Sequence, residues 1–170
     1  MMVRRNAIYV VGMVLAASSI AGPVHAQAYK PGEGLTSVWT AELRRLAEQV
    51  GGSIVSENAL GVSSILAKTE SGLLFSLVGQ ACDANTASCR AVLMQVIYTT
   101  GASATDAAIG EANTRFPALK VARDPGKTVI SVSRHVVLDD GVTGMNLQRN
   151  LQIVLDISPS VAKIALGVAQ

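Results

Sequence analysis

GLLFSLVG at residues 72–79 and CRAVLMQVIYT at residues 89–99 decide how this chain folds. Both read as strands, and both are apolar on alternate sides. Leu73, Phe75 and Leu77 oppose Leu74 and Val78, while Leu93 and Ile97 oppose Val92, Met94, Val96 and Tyr98. Strands apolar on both faces are normally covered on both faces. Between them lies the loop CDANTASC (82–89), and a disulfide at its neck would fix the pairing of the two strands.

Upstream, residues 53–56 and 62–69 are shorter strand candidates separated by a turn at 58–61, which makes the region a β meander. Before it, Trp39, Leu43, Leu46 and Val50 recur at helical spacing from Thr36 onward, and Gly51-Gly52 ends that helix. Downstream, Ser103 opens a second helix in a capping-box-like S-x-x-D with Asp106; it carries Ile109, Ala112 and Phe116 and stops before Pro117. Residues 119–123 and 128–138 form a hairpin about Asp124-Pro125-Gly126-Lys127, where Pro and Gly occupy their favoured turn positions. Asp139-Asp140-Gly141 turns the chain, and Thr143 caps a third helix bearing Leu147, Leu151, Val154 and Leu155. Ser158-Pro159 is expected to interrupt that helix before an apolar tail at 161–168. The fold class is therefore α+β, an antiparallel sheet with three helices in the order α-β-β-β-α-β-β-α.

The N-terminus reads as an export signal over residues 1–26. Arg4 and Arg5 precede an apolar run at 7–17, and Val24-His25-Ala26 offers small residues at −3 and −1, with cleavage after Ala26. The run is short for a membrane span, which needs about 20 residues, and no cysteine follows it to carry a lipid. The residues after the twin arginines favour ordinary Sec export. An uncleaved anchor is the alternative; cleavage leaves no stable membrane anchor. Residues 27–34 (QAYKPGEG) form a flexible lead-in, 35–157 the domain, and 158–170 a C-terminal tail. A periplasmic or secreted location follows, and there Cys82 and Cys89, the sequence's two cysteines, most simply join. CDANTASC lacks the CxxC spacing of a redox pair.

Removing the leader leaves 144 of the 170 residues, one domain's worth. The 14 Lys and Arg fall to 12 because Arg4 and Arg5 depart, against 12 Asp and Glu, so the domain is close to neutral. That argues against nucleic acid as a partner, since phosphate neutralisation supplies most non-specific affinity. It argues equally against electrostatic docking to membranes.

These segments, namely the cysteine loop leading into an apolar strand through Tyr98, a helix ending EANTRF (111–116) and GVT (141–143) opening the last helix, resemble the YbjN family. That family is described as bacterial sensory transduction regulators and is similar in fold to type III secretion chaperones. The resemblance spans roughly residues 35–157; Asn113 and Phe116 match its pattern. It implies that fold and a tendency toward protein contact, and it brings no catalytic residues.

Reactive chemistry is poorly supplied. His135 is the one histidine after cleavage, too few for a zinc site, and Asp139-Asp140 lacks calcium-loop spacing and reads as a solvated turn. Ser131, Ser133 and His135 share one face of a strand whose other face is Ile130, Val132, Val136 and Leu138. With no GxSxG, they read as the wet side of an amphipathic strand. Gly32-Glu33-Gly34 follows no strand, so it fails as a dinucleotide cradle. Tyr29, Trp39, Phe75, Tyr98 and Phe116 are few for a sugar platform, and most sit at core-facing positions. No catalytic, cofactor or metal residue is assigned, and the chain reads as a non-enzyme.

The sheet remains. Three helices on one face would leave Leu74, Val78, Val92, Met94 and Val96 on the other, a candidate interaction face for a homodimer or a protein partner, as chaperone or regulatory adaptor. The alternative has the third helix or the tail folded across it. A competing function is a small-ligand or envelope-stress module with a pocket between helix and sheet.

Overall fold

The computed structural model describes residues 32, 34–60, 63–85, 87–100, 104–124 and 128–167. The expected signal peptide at 1–26, the expected lead-in apart from Gly32 and Gly34, Ser103 and the expected turn residues Pro125-Gly126-Lys127 lie outside them.

A six-stranded antiparallel sheet carries three helices, with elements β1 (Gly34–Leu35), α1 (Thr40–Gln49), β2 (Ser53–Glu57), β3 (Ser64–Lys68), β4 (Leu74–Cys82), β5 (Cys89–Thr99), α2 (Asp106–Arg115), β6 (Lys120–Arg123), β7 (Val129–Val137), β8 (Val142–Thr143) and α3 (Gly144–Ala165). The main sheet runs β2-β3-β4-β5-β7-β6, and β1 pairs with β8 in a small ribbon. The class is the α+β one expected. The meander holds four strands, one more than the expected order has before its second helix, because each of the four apolar stretches forms its own strand. Gly34, read as the end of a flexible lead-in, is instead paired with Thr143.

Helix boundaries move for local reasons. Trp39 is extended (φ −115°, ψ 178°) and precedes α1, so its ring leaves the apolar stripe and is 45% exposed. Val38 takes the core position instead, exchanging backbone hydrogen bonds with Cys89 at 2.9 Å each way. The Trp39 N–H donates to Glu42 at 2.8 Å, half of a capping box. At the other end Gly51 turns left-handed (φ +77°), as a helix stop requires. Helix α2 is capped by Thr105, whose Oγ1 accepts from Ala108 N at 3.2 Å, and α3 by Thr143, which accepts from Asn146 N at 3.2 Å.

The third helix overturns one expectation. It continues through Pro159 to Ala165, so residues 158–165 are its last turns rather than a separate tail. The stripe Leu147, Leu151, Val154, Ser158, Val161 and Ala165 stays in phase, and all six are buried. Burial of that continuous stripe outweighs the roughly 3 kcal/mol a mid-helix proline costs.

Tyr98 ties this segment down, sharing a 3.0 Å hydrogen bond with Ser158. Burial pushes the Tyr98 phenol above its ordinary value of 10.0, with the Ser158 hydrogen bond acting the other way. The unfolded chain thus releases this proton first, and Tyr98 contributes stability that is present below pH ~10 and is lost as pH rises through the higher folded value. Urea midpoints measured from about pH 8 to 11 should fall less steeply in Tyr98→Phe than in the wild type.

Both sheet edges carry features that discourage strand addition. β2 is short and irregular between Ile54 and Ser56. On β6 the Asn113 carboxamide accepts from Val121 N at 2.8 Å and donates to Val121 O at 3.0 Å, replacing a neighbouring strand. This gives Asn113 a structural role.

Candidate interaction face

Strand register decides which side chains share a face, because residues directly opposite in an antiparallel pair project to the same side. Phe75 stands opposite Val96, Leu77 opposite Met94 and Gly79 opposite Val92. Phe75, Leu77, Val92, Met94 and Val96 therefore line one face, with at most 1% of any of them exposed, and all three helices pack there. The expected interaction face is corrected accordingly. Val92, Met94 and Val96 are core, while Leu74 and Val78 alone belong to the open side.

The open face consists of three cross-strand rows. Lys68, Leu74, Ile97, Ser131 and Ala122 form the first; Leu66, Ser76, Gln95, Ser133 and Lys120 the second; Ser64, Val78, Leu93 and His135 the third. Leu74 is 48% and Ile97 52% exposed, and neither the third helix nor its end crosses them. Leu60, half exposed, joins Leu66, Leu74, Gln95 and Ile97 around an apolar cup of about 320 Å³ over Ser76. Leu66, Leu93 and Ile97 also belong to this face, since strand pairing sets them beside Ser76, Val78 and Leu74.

Ser131 and Ser133 donate to the carbonyls of Ala122 and Lys120 across the β6–β7 ladder, and His135 stands exposed opposite Leu93. The three do lie on the wetter side of the strand, where the serines bond to backbone. Asp139 and Asp140 sit exposed in a turn, with Asp140 left-handed (φ +68°). They border an open depression of about 840 Å³ beside the disulfide, with Thr36, Ser37, Asp83 and Arg90 on its other walls. A cleft of about 450 Å³ between the Thr69–Ser71 turn and Gln152 and Asp156 of α3 is where a ligand between helix and sheet would sit. Among the described residues no helix is long and apolar enough to cross a membrane.

Cys82 and Cys89 face each other across β4 and β5 and form the disulfide. Gly79 makes room for it: a Cβ there would overlap Cys89 Sγ and lie 2.9 Å from Cys89 Cβ. The bridge closes a short loop, so chain entropy assigns it about 2.5 kcal/mol. Adding dithiothreitol should lower the unfolding free energy by about that amount and leave the far-ultraviolet spectrum native.

No family model matches the chain, and no curated protein does. The fold is similar to that of YbjN. The crystal structure of that protein, a putative transcription regulator from E. coli, aligns over 74% of this chain and 87% of its own, with 14% identity and a TM-score of 0.48. At that identity the likeness is one of fold, and it carries no functional residue across.

Proposed function

We propose that the chain is an exported, non-enzymatic domain that binds protein through the open face of its sheet, as a homodimer, regulatory adaptor or chaperone-like module. The observation that carries this is the half-exposed trio Leu60, Leu74 and Ile97 on a sheet whose helices all pack on the opposite side. A sheet normally buries its apolar faces against another layer, and a contiguous apolar patch in the open marks a contact site. The irregular β2 edge and the Asn113 cap on β6 disfavour strand addition, which turns attention to the face. Export to the periplasm is supported by the leader at 1–26 and by the disulfide, which suits an oxidising compartment.

The double variant Leu74→Glu/Ile97→Glu tests the reading. Both side chains are about half in solvent, so the thermal midpoint should move by only a few degrees. Self-association by sedimentation and cross-linking to envelope proteins should be lost. A wild-type protein that is monomeric at high micromolar concentration and cross-links to nothing would overturn the proposal.

A further inference from the structure

The cup on the open face contains a polar group that the protein itself leaves unanswered. Ser76 is 2% exposed, and its Oγ is sealed from solvent without a hydrogen-bond partner. Its neighbours on the same face differ: Ser131 and Ser133 reach carbonyls of β6, and Ser64 Oγ accepts from Leu60 N at 3.1 Å. An unpaired buried hydroxyl is costly and calls for an explanation. Around it stand Leu60, Leu66, Leu74 and Ile97, with Gln95 directly opposite Ser76.

We infer that this cup receives a tyrosine side chain from a protein partner, with Ser76 bonding to the phenol hydroxyl; this rests on the open face being a protein-contact surface. A tyrosine ring supplies a flat apolar body, and its hydroxyl seeks a partner when buried. Phenylalanine or leucine would fill the walls and leave Ser76 unpaired. Lysine or arginine would bring a charge to a cup with no carboxylate. Because the hydroxyl is sealed in the free protein, this contact requires a side-chain rearrangement of the cup, a common event at interfaces. Charge narrows the partner further. Lys68 flanks Leu74 in the same row, while Arg123 and Asp124 lie together beyond Ile97, so a carboxylate beside the tyrosine finds its cation on the Lys68 side of the rim.

The test uses protein purified from the envelope fraction of cells expressing the full chain. Two capped peptides are titrated, identical except for one tyrosine or phenylalanine between glutamates, while the methyl resonances of Leu74 and Ile97 are followed. Both peptides should shift these methyls, with the tyrosine peptide binding about fivefold more tightly, the worth of one neutral hydrogen bond. Ser76→Ala should reduce the tyrosine peptide to the level of the other, without weakening the phenylalanine peptide or lowering the thermal midpoint. Equal affinities in the wild type, or a tyrosine preference that survives Ser76→Ala, would overturn the inference and leave the contact surface standing. Methyls unmoved by either peptide would overturn it too, and the Leu74→Glu/Ile97→Glu variant then decides the broader reading by itself.

Discussion

Met94→Glu should leave no folded domain: no thermal transition, a collapsed far-ultraviolet spectrum and loss of soluble protein. Met94 is 0% exposed, stands opposite Leu77 and lies under the helices. Removing its side chain alone would cost about 2–5 kcal/mol. A carboxylate placed there has no buried partner, and the added desolvation is worth several kcal/mol more. The sum reaches the whole stability of an ordinary domain, about 5–15 kcal/mol. Ile97→Glu, three positions along the same strand, is the paired control. Its side chain is on the other face and half in water, so that variant should fold. The reverse result, a folded Met94→Glu and an unfolded Ile97→Glu, would mean that the strand is displaced by one residue and both faces are exchanged.

The alternation within β4 and within β5 was legible in the sequence; which half of one matches which half of the other depends on their register, which alternation alone does not carry. The signal was present in the cysteines. Cys82 and Cys89 stand directly opposite and are seven positions apart. With an odd separation, every even-numbered residue of β4 faces an odd-numbered one of β5, which places Leu74 with Ile97 and Leu77 with Met94. Grouping Leu74 and Val78 with Val92, Met94 and Val96 breaks that parity. The helix caps show the opposite situation. Thr143 was readable because a threonine before a helical stripe has one strong local use. Trp39 was misplaced because the backbone's entry angle into α1, set by the distant bridge of Val38 to Cys89, has no local sign. The cup around Ser76 was invisible for a similar reason, since it needs Leu60 from a loop beside residues of three strands.

Stopping the chain after Ile157, at the boundary that Ser158-Pro159 suggests, should also abolish folding. The segment removed contains Ser158, Val161, Ala162, Ile164 and Ala165, all buried, and α3 packs on both β5 and β7. Full burial of a Val or Ile side chain is worth about 1.5–3 kcal/mol. Val161 and Ile164 together therefore stand for about 4 kcal/mol, before counting the alanines and the Tyr98–Ser158 hydrogen bond. Their loss also uncovers the apolar atoms they pack against, so the deficit approaches the domain's entire margin. A proline is a strong local stop signal, but here the apolar residues beyond it keep the phase of those before it, and the phase carries the helix on. Stopping after Gly167 keeps all five of these buried positions, and that protein should fold. If the protein ending at Ile157 melted within a few degrees of the full chain, the last two turns of α3 would be ornament rather than core.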